Sequence, residues 1–261
     1  MISSKTSLLI NRVRHAFSKA ADQYDLLASL QREIGQELIE KIVALPEMRC
    51  VLDIGCGTGY MAGKVKSFFP QSHVVGVDFS QQMLLKAQEN VRDVSWVLAD
   101  AHQLPFKEKS VEVVVSNLAY QWAFDLKGAL VDVRRVLCNN GTFVASLFGF
   151  STCQELFVSL QATGTKGEGF NRLPRMEEVK ESLLRAGFLD SQVNNKNVQI
   201  QFKDLWDLLG WLKAIGANEL SSGRFLGPQA LQEANMYCLK NYPADGGINI
   251  TFEVIWIYAK V

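Results

Sequence analysis

The sequence lacks an excess of either charge, and it lacks cysteines spaced for a metal site or a disulfide framework. Lys and Arg together number 27, as do Asp and Glu, so the formal net charge is zero. A general nucleic-acid-binding protein would carry a basic excess, so we predict no nucleic-acid partner. The five cysteines form no C-x-x-C pair, which predicts free thiols in a reducing cytoplasm and no bound metal ion.

Long apolar runs are also absent. The first residues, MISSKTSLLINRVRHAF, contain an apolar run of only three residues, whereas the core of a signal peptide needs about 7–15. No stretch approaches the ~20 apolar residues that span a bilayer. We therefore expect a cytoplasmic protein that has no membrane partner.

Apolar segments that alternate with helical patterns organise the middle of the chain. Hydrophobic residues make up 48% of the 261 residues, which is enough for one large domain with its own core. The predicted strands are 50–54, 73–78, 94–100, 111–117, 141–148, 198–202 and 248–261. Apolar strands separated by helices predict an α/β fold with a doubly wound, mostly parallel, seven-stranded sheet.

The helical patterns divide the chain into regions. Helices are predicted within 5–45, from the glycine turn after the first strand through Phe69, and after Ser80 as an N-cap. Further helices are predicted over 126–138, 154–164 and 175–186, the last ending at Gly187. Residues 203–247 are too many for a hairpin connection and carry two more helical patterns. We predict a single domain over 1–261 with an N-terminal helical segment 1–46, a cofactor-binding core 47–150, cap regions 151–174 and 203–247, and the rest of the core in 175–202 and 248–261.

Polar residues lie near the ends of four successive strands. They are Asp53, Asp78, Asp100 and Asn117. Ligands of doubly wound folds bind beyond the carboxyl ends of the strands. The sequence therefore predicts one ligand site that these side chains share.

The stretch VLDIGCGTGY, residues 51–60, identifies the ligand class. Its glycines follow the pattern G-x-G-x-G, and no Lys or Arg occurs between Val51 and Gly63, whereas a P-loop needs a lysine for its phosphates. The carboxylate of Asp53 would repel a pyrophosphate and attract a cation. The site therefore favours S-adenosylmethionine, which carries ammonium and sulfonium charges and no phosphate.

The neighbouring positions complete the predicted cofactor site. Asp78 occupies the position that takes ribose hydroxyls in nucleotide-binding folds, Asp100 and Ala101 can meet the adenine, and Phe79 and Met83 can pack on its ring. The residues predicted to bind the cofactor are Asp53, Gly55, Cys56, Gly57, Asp78, Phe79, Met83, Asp100, Ala101 and Asn117. An NAD-dependent enzyme remains the alternative.

These stretches resemble a known superfamily. VLDIGCGTGY, VVGVDFS, VLADAHQLPF and VVVSNLAYQW are similar to the successive motifs of class I S-adenosylmethionine-dependent methyltransferases. The resemblance covers roughly residues 48–150 and implies the Rossmann-like sheet of that superfamily. It says little about the substrate, because one fold hosts many functions.

The flanking segments resemble a narrower family. FSKAADQYDLLASLQREIG (17–35), NLAYQW (117–122), WLKAIGAN (211–218) and NRLP (171–174) are similar to the malonyl-acyl-carrier-protein O-methyltransferases of biotin synthesis. The resemblance implies methyl transfer to the free carboxylate of a malonyl thioester, which starts synthesis of the pimeloyl arm. The implied partner is malonyl-acyl carrier protein, or malonyl coenzyme A.

Such a reaction needs positioning more than acid–base catalysis. A carboxylate has a reference pKa near 4, so it is already ionised at neutral pH and we predict no dedicated catalytic residue. The predicted substrate residues are Phe17, Tyr24, Gln121, Trp122, Arg172 and Arg175, the two arginines because a guanidinium suits carboxylate geometry. Trp206 and Trp211 are expected to help wall the site.

Two other functions stay open at this point. A methyltransferase of the same fold could act on another small acid, a quinone or a sterol-like acceptor, although carbon methylation would require a base. A non-catalytic protein could bind S-adenosylmethionine for assembly or regulation.

Overall fold

The computed structural model describes residues 4–164, 173–217 and 227–261. The α-helices in these ranges are α1 Ser4–Leu27, α2 Ser29–Val43, α3 Tyr60–Phe68, α4 Gln81–Asn90, α5 Leu126–Val136, α6 Gln154–Ala162, α7 Met176–Ala186, α8 Leu205–Ala214 and α9 Pro228–Asn241. The strands are β1 Cys50–Ile54, β2 His73–Asp78, β3 Ser95–Leu98, β4 Val111–Asn117, β5 Leu137–Phe148, β6 Asp190–Phe202, β7 Pro243–Ala244 and β8 Gly247–Lys260.

The strands form one sheet in the order β3-β2-β1-β4-β5-β8-β6, and the short β7 pairs with β8. Strands β1 to β5 pair in parallel, whereas β8 is antiparallel to both β5 and β6. The predicted mostly parallel, doubly wound sheet is confirmed. The strand order reverses between β1 and β4, and this switch point is where such folds open a crevice for ligands.

Two hydrophobic clusters cover the two faces of the sheet. On one face, Leu130 and Val133 of α5 and Leu183 of α7 pack against the strands. On the other face, the cluster joins helices α2 and α3 with α6, α8 and α9. Helices α6, α8 and α9 share this cluster with the sheet itself. The division into a core and a cap stays a prediction.

Local signals in the sequence set several boundaries correctly. The side chain of Ser80 caps α4 by accepting a hydrogen bond from the backbone N–H of Met83 at 3.4 Å. Gly187 ends α7 with a φ of 95°, a conformation that costs glycine little. The helical region predicted within 5–45 is two helices, separated at Ala28.

Strands β5 and β6 begin earlier than predicted. β6 begins at Asp190 rather than 198, and its first residues, DSQVNNKN, are mostly polar and exposed. β6 lies at the edge of the sheet, where one side of the strand faces solvent and needs no apolar pattern. The predicted helix 126–138 ends at Val136, since β5 already begins at Leu137.

No helix within the described ranges is both long enough and apolar enough to cross a membrane.

Candidate active site

The glycine turn after β1 shapes the crevice. Gly55, Gly57 and Gly59 have φ angles of 70°, 52° and 88°, which lie in the left-handed region that glycine adopts without strain. A Cβ atom on Gly55 would lie 2.2 Å from the Cβ of Ala119, whereas a Cβ on Gly57 would meet no atom within 4 Å. The turn therefore packs tightly against the chain after β4 at Gly55 and faces open space at Gly57.

Two carboxylates are buried beside this turn. Asp53 and Asp78 expose only 1% and 7% of their surface. Asp78 accepts hydrogen bonds from the backbone N–H groups of Gly57 at 2.9 Å and Ser80 at 2.8 Å. One oxygen of Asp53 accepts from the N–H of Ala62 at 2.9 Å. Its other oxygen, Oδ1, is buried without a hydrogen-bond partner among the described residues.

Burial raises the pKa values of both carboxyl groups. The pKa of Asp53 rises to about 7, because desolvation and the nearby Asp78 outweigh the hydrogen bond from Ala62. The pKa of Asp78 rises to about 6, because desolvation outweighs its backbone hydrogen bonds. In the described part of the chain, neither carboxylate forms an ion pair with Lys, Arg or His. A cationic ligand would supply the missing charge.

Three neighbouring cavities surround these groups. The large cavity encloses about 900 Å³ and lies between Ile10, Val13 and Phe17 of α1 and the ends of strands β1 to β4. Asp78 and Asp100 also line it.

The turn cavity encloses about 400 Å³ on the other side of the glycine turn. Asp53, Asp25 and Arg32 line it, together with Gly55 and Gly57, which also line the large cavity. Asp25 forms an ion pair with Arg32 at 3.1 Å. The turn cavity is thus lined by both acidic and basic side chains.

The aromatic cavity encloses about 490 Å³ and is lined by no charged residue of the described ranges. Its lining includes Phe17, Tyr24, Gln31, Gln121, Trp122, Phe148, Trp211 and Phe252. It shares Phe17, Tyr24, Leu118 and Trp122 with the large cavity. Tyr24 borders all three cavities, so its side chain lies where they meet.

Comparison with known proteins identifies the family. A family model described as a methyltransferase domain matches residues 52–145. A malonyl-[acyl-carrier protein] O-methyltransferase of Halorhodospira halophila is 32% identical over 255 residues, which cover 95% of this chain and 86% of the relative. The chain belongs to the malonyl-[acyl-carrier protein] O-methyltransferase family. The resemblance seen in the sequence is confirmed, and the chain is a methyltransferase.

Solved structures share the fold of this family member. The YcgJ protein of Bacillus subtilis superposes with a TM-score of 0.61 at 18% identity, over 86% of this chain and 98% of its own. Phosphoethanolamine N-methyltransferase 2 of Haemonchus contortus, in complex with S-adenosyl-L-methionine, superposes with a TM-score of 0.57 at 21% identity, over 87% of this chain and 52% of its own. At such identities the likeness concerns the fold alone.

The structure brings the residues predicted to bind the cofactor together. Those that line the large cavity are Gly55, Gly57, Asp78, Phe79, Met83, Asp100, Ala101 and Asn117. Asp53 and Cys56 line the turn cavity. Cys56 is buried, which raises the pKa of its thiol. The roles of these residues in this methyltransferase stay predictions.

Two of these side chains are already engaged within the protein. The side-chain amide of Asn117 donates to the carbonyl of Gln31 at 2.8 Å, and its oxygen accepts from the hydroxyl of Ser146 at 2.7 Å. Asn117 therefore ties α2 to two adjacent strands. One oxygen of Asp100 accepts from the backbone N–H of His102 at 2.8 Å and contacts the ring Nδ1 at 2.7 Å.

The predicted substrate residues divide into two groups. Phe17, Tyr24 and Trp122 line both the large and the aromatic cavity, and Gln121 lines the aromatic cavity. Arg172 lies outside the described residues.

Arg175 and Trp206 lie elsewhere. The guanidinium of Arg175 lies 3.5 Å from the ring centre of Phe150, and Arg175 lines none of the three cavities. Trp206 is 47% exposed, so the expectation that it walls the site is wrong, whereas Trp211 lines the aromatic cavity. Five positions apart on α8, the two indoles point to different faces of the helix.

Gln31 and His102 are among the lining residues that sequence reasoning missed. Gln31 is 7% exposed and borders the aromatic and turn cavities, but within the helical pattern of α2 nothing distinguishes it. His102 lines the large cavity, and its position two residues after Asp100 was the available signal. No three His, Cys, Asp or Glu side chains of the described chain come together as a metal site requires; the absence of a metal stays a prediction.

Proposed function

We propose that this chain transfers a methyl group from S-adenosylmethionine to the free carboxylate of a malonyl group carried as a thioester on an acyl carrier protein. The relatives named for this reaction match 95% of the chain. The observation that carries the proposal is the pair of buried carboxylates, Asp53 and Asp78, which line the turn cavity and the large cavity without a cationic partner in the described ranges.

The chemistry of the donor set fits the cofactor. The unpartnered Oδ1 of Asp53 suits an ammonium group, and Arg32 of the same cavity suits a carboxylate. Asp78 retains acceptor capacity for ribose hydroxyls, because each carboxylate oxygen accepts more than one hydrogen bond. Phe79 and Met83 offer apolar surface to an adenine.

When bound, S-adenosylmethionine supplies a methyl group on a positively charged sulfur. Three of the four residues shared by the large and aromatic cavities, Phe17, Leu118 and Trp122, present largely apolar surface, which binds water weakly. An acceptor carboxylate held there loses its hydration and keeps its charge. Orientation of this kind lowers reaction barriers by about 7–11 kcal/mol.

Tyr24 is placed to position the acceptor. Burial raises the pKa of its hydroxyl, and the charges of Asp78 and Asp25 raise it further. The hydroxyl therefore keeps its proton at neutral pH and can donate a hydrogen bond. A carboxylate oxygen at the junction of the cavities is a suitable acceptor for that bond.

The partner and the cellular role complete the proposal. The names of the relatives specify the acyl carrier protein as the carrier. The resemblance implies a place at the start of pimeloyl synthesis for biotin. All five cysteines are unpaired, which supports a reducing, cytoplasmic location.

The test is methyl transfer by the purified protein. Malonyl-acyl carrier protein, malonyl coenzyme A, free malonate and a quinone are each incubated with S-adenosylmethionine, and products are identified by mass spectrometry. The proposal expects a methyl ester on the malonyl carrier protein. Methylation of another acceptor in place of the malonyl carrier protein would show that the proposed substrate is wrong. Calorimetric binding of the cofactor without any methyl transfer would indicate a binding protein.

A matched pair of acidic variants links activity to the proposed site. Asp78→Asn removes the charge and retains one acceptor, so we expect cofactor binding to weaken about 10–100-fold. Asp190→Ala changes an exposed carboxylate at the sheet edge and should bind as the wild type does. Equal affinities for the two variants would remove Asp78 from the cofactor site.

A further inference from the structure

Two side chains that line the aromatic cavity each have a buried oxygen atom that accepts no hydrogen bond from the described residues. Oε1 of Gln31 and Oε1 of Gln121 have no partner within the described residues, and both side chains line this cavity. The large majority of buried side-chain polar atoms of native proteins have a hydrogen-bond partner. Two unpaired acceptors on side chains that line one cavity therefore point to a ligand that donates hydrogen bonds.

The orientation of the Gln121 amide is determined by its surroundings. Its Nε2 donates to the carbonyl of Leu118 at 2.7 Å. Rotation of the amide by half a turn would place Oε1 against the carbonyl oxygen of Leu118, and neither oxygen can donate a hydrogen bond. Oε1 of Gln121 is therefore an acceptor in this position.

These two oxygens do not suit a carboxylate. Among the described residues, no Lys, Arg or His lines the aromatic cavity, and two carbonyl oxygens would repel an anion. The rings of Phe148, Trp211 and Phe252 instead suit an uncharged, partly apolar chain. The ligand group that fits is a neutral N–H donor on such a chain.

We propose that Gln121, with Gln31 beside it, accepts the amide N–H of the thioester arm that carries the malonyl group. This inference rests on the proposed function, because it takes the acceptor to be a thioester of a pantetheine-type arm. Such an arm has an amide N–H a few bonds beyond the sulfur. The carboxylate then lies toward Tyr24 and the large cavity, and the arm occupies the aromatic cavity.

The experiment compares two small thioesters that differ in one donor. Malonyl S-(2-acetamidoethyl) thioester has the amide N–H, and malonyl S-(2-acetoxyethyl) thioester has an ester oxygen in its place. Binding is measured by calorimetry in the presence of S-adenosylhomocysteine, and turnover is measured with S-adenosylmethionine. We expect the wild-type protein to prefer the amide about tenfold in both measurements.

Variants then locate the acceptor. Gln121→Met keeps the length of the side chain and removes its oxygen, so the preference for the amide should disappear, and Gln31→Met should reduce it. Gln229→Met, an exposed change on α9, should keep the full preference. Cofactor binding by each variant shows that the variant is folded. If Gln121→Met does not fold, two measurements test the inference: the preference of the wild-type protein for the amide and the reduction of that preference in Gln31→Met.

Equal binding of the two thioesters to the wild-type protein would overturn the inference, and it is also the result expected if a water molecule satisfies both oxygens. A preference that survives in both variants would assign the acceptor elsewhere. Binding that favours the amide without methylation of any malonyl thioester would contradict the proposed function and leave this inference standing.

Discussion

The two sides of the candidate site are built in different ways. Asp53, Asp78 and the glycine turn, which line the turn cavity and the adjacent part of the large cavity, come from one continuous segment, from Asp53 to Met83, and residues 24–32 of α1 and α2 close the turn cavity over them. The aromatic cavity takes residues from Phe17 to Phe252. The first side is polar and acidic, and its geometry depends on one turn. The second is aromatic and uncharged, and it exists only once distant helices have packed together.

The largest expected effect lies in the glycine turn. Gly55→Ala would place a Cβ 2.2 Å from that of Ala119 at a φ of 70°, which we expect to destabilise the fold by about 2–5 kcal/mol. Gly57→Ala has a similar backbone conformation but open space around the new Cβ, so its cost should be about 1–2 kcal/mol. Chemical denaturation measures both.

Calorimetry completes this comparison. Gly57→Ala should reduce cofactor affinity about tenfold despite its small effect on stability, because the new Cβ enters the space between the large and turn cavities. Equal stability losses for the two variants would contradict the contact at Gly55.

The acidic side should also respond to pH. Without a ligand, burial raises the pKa of Asp53 to about 7 and that of Asp78 to about 6. Binding of a cationic cofactor favours the ionised forms, so protons are released and affinity should fall by up to about tenfold per pH unit from about pH 7 to about pH 5.5. Calorimetry in buffers of different ionisation enthalpy counts the protons.

Stability of the ligand-free protein should change in the opposite direction. A carboxyl group whose pKa is raised on folding contributes stability at low pH and loses it as the pH rises through its folded pKa. For Asp53 that loss accumulates from its unfolded pKa of 3.8 to its folded pKa of about 7 and is complete above pH 7. Asp53→Asn should flatten this part of both profiles, and unchanged profiles would contradict the assignment to Asp53.

The aromatic side should respond to a loss of one interhelical contact. The indole N–H of Trp211 donates to the carbonyl of Leu27 at 3.1 Å, which joins α8 to the end of α1. Trp211→Phe should cost about 1 kcal/mol of stability and raise KM for the malonyl thioester without changing cofactor affinity. Trp206→Phe is the matched control, because Trp206 is 47% exposed; a similar rise in KM there would argue against the aromatic cavity as the acceptor site.

The smallest effect on stability is expected at a contact between α1 and the N-terminus of α4. The hydroxyls of Ser18 on α1 and Ser80, the N-cap of α4, lie 2.9 Å apart. Ser18→Ala should cost about 0.5–1 kcal/mol, and Ser80→Ala more, because it also removes the cap. Thermal denaturation should show this order, and the reverse order would place the main role of the pair on α1.

The polar side could be read from the sequence because its signals are local. The alternation of strands and helices predicted the sheet, and the glycines and acids of residues 53–78 stand where parallel strands end. The same reasoning could not show that the side chain of Asn117 is bonded to Gln31 and Ser146. Those partners come from α2 and β5, which no local pattern brings together.

The aromatic side was only partly predictable for the same reason. Aromatic residues were expected to wall the site, but only packing decides that Trp211 faces inward on α8 and Trp206 outward. Gln31 has no sequence signal, since a polar residue in an amphipathic helix is normally exposed. The early start of β6 was missed because an edge strand can be polar.

The position of Tyr24 at the meeting point of all three cavities has a consequence for binding equilibria. One ring cannot move to accommodate the donor without altering the space left for the acceptor. The affinities of the two ligands should therefore be thermodynamically linked, so that each changes the dissociation constant of the other by the same factor.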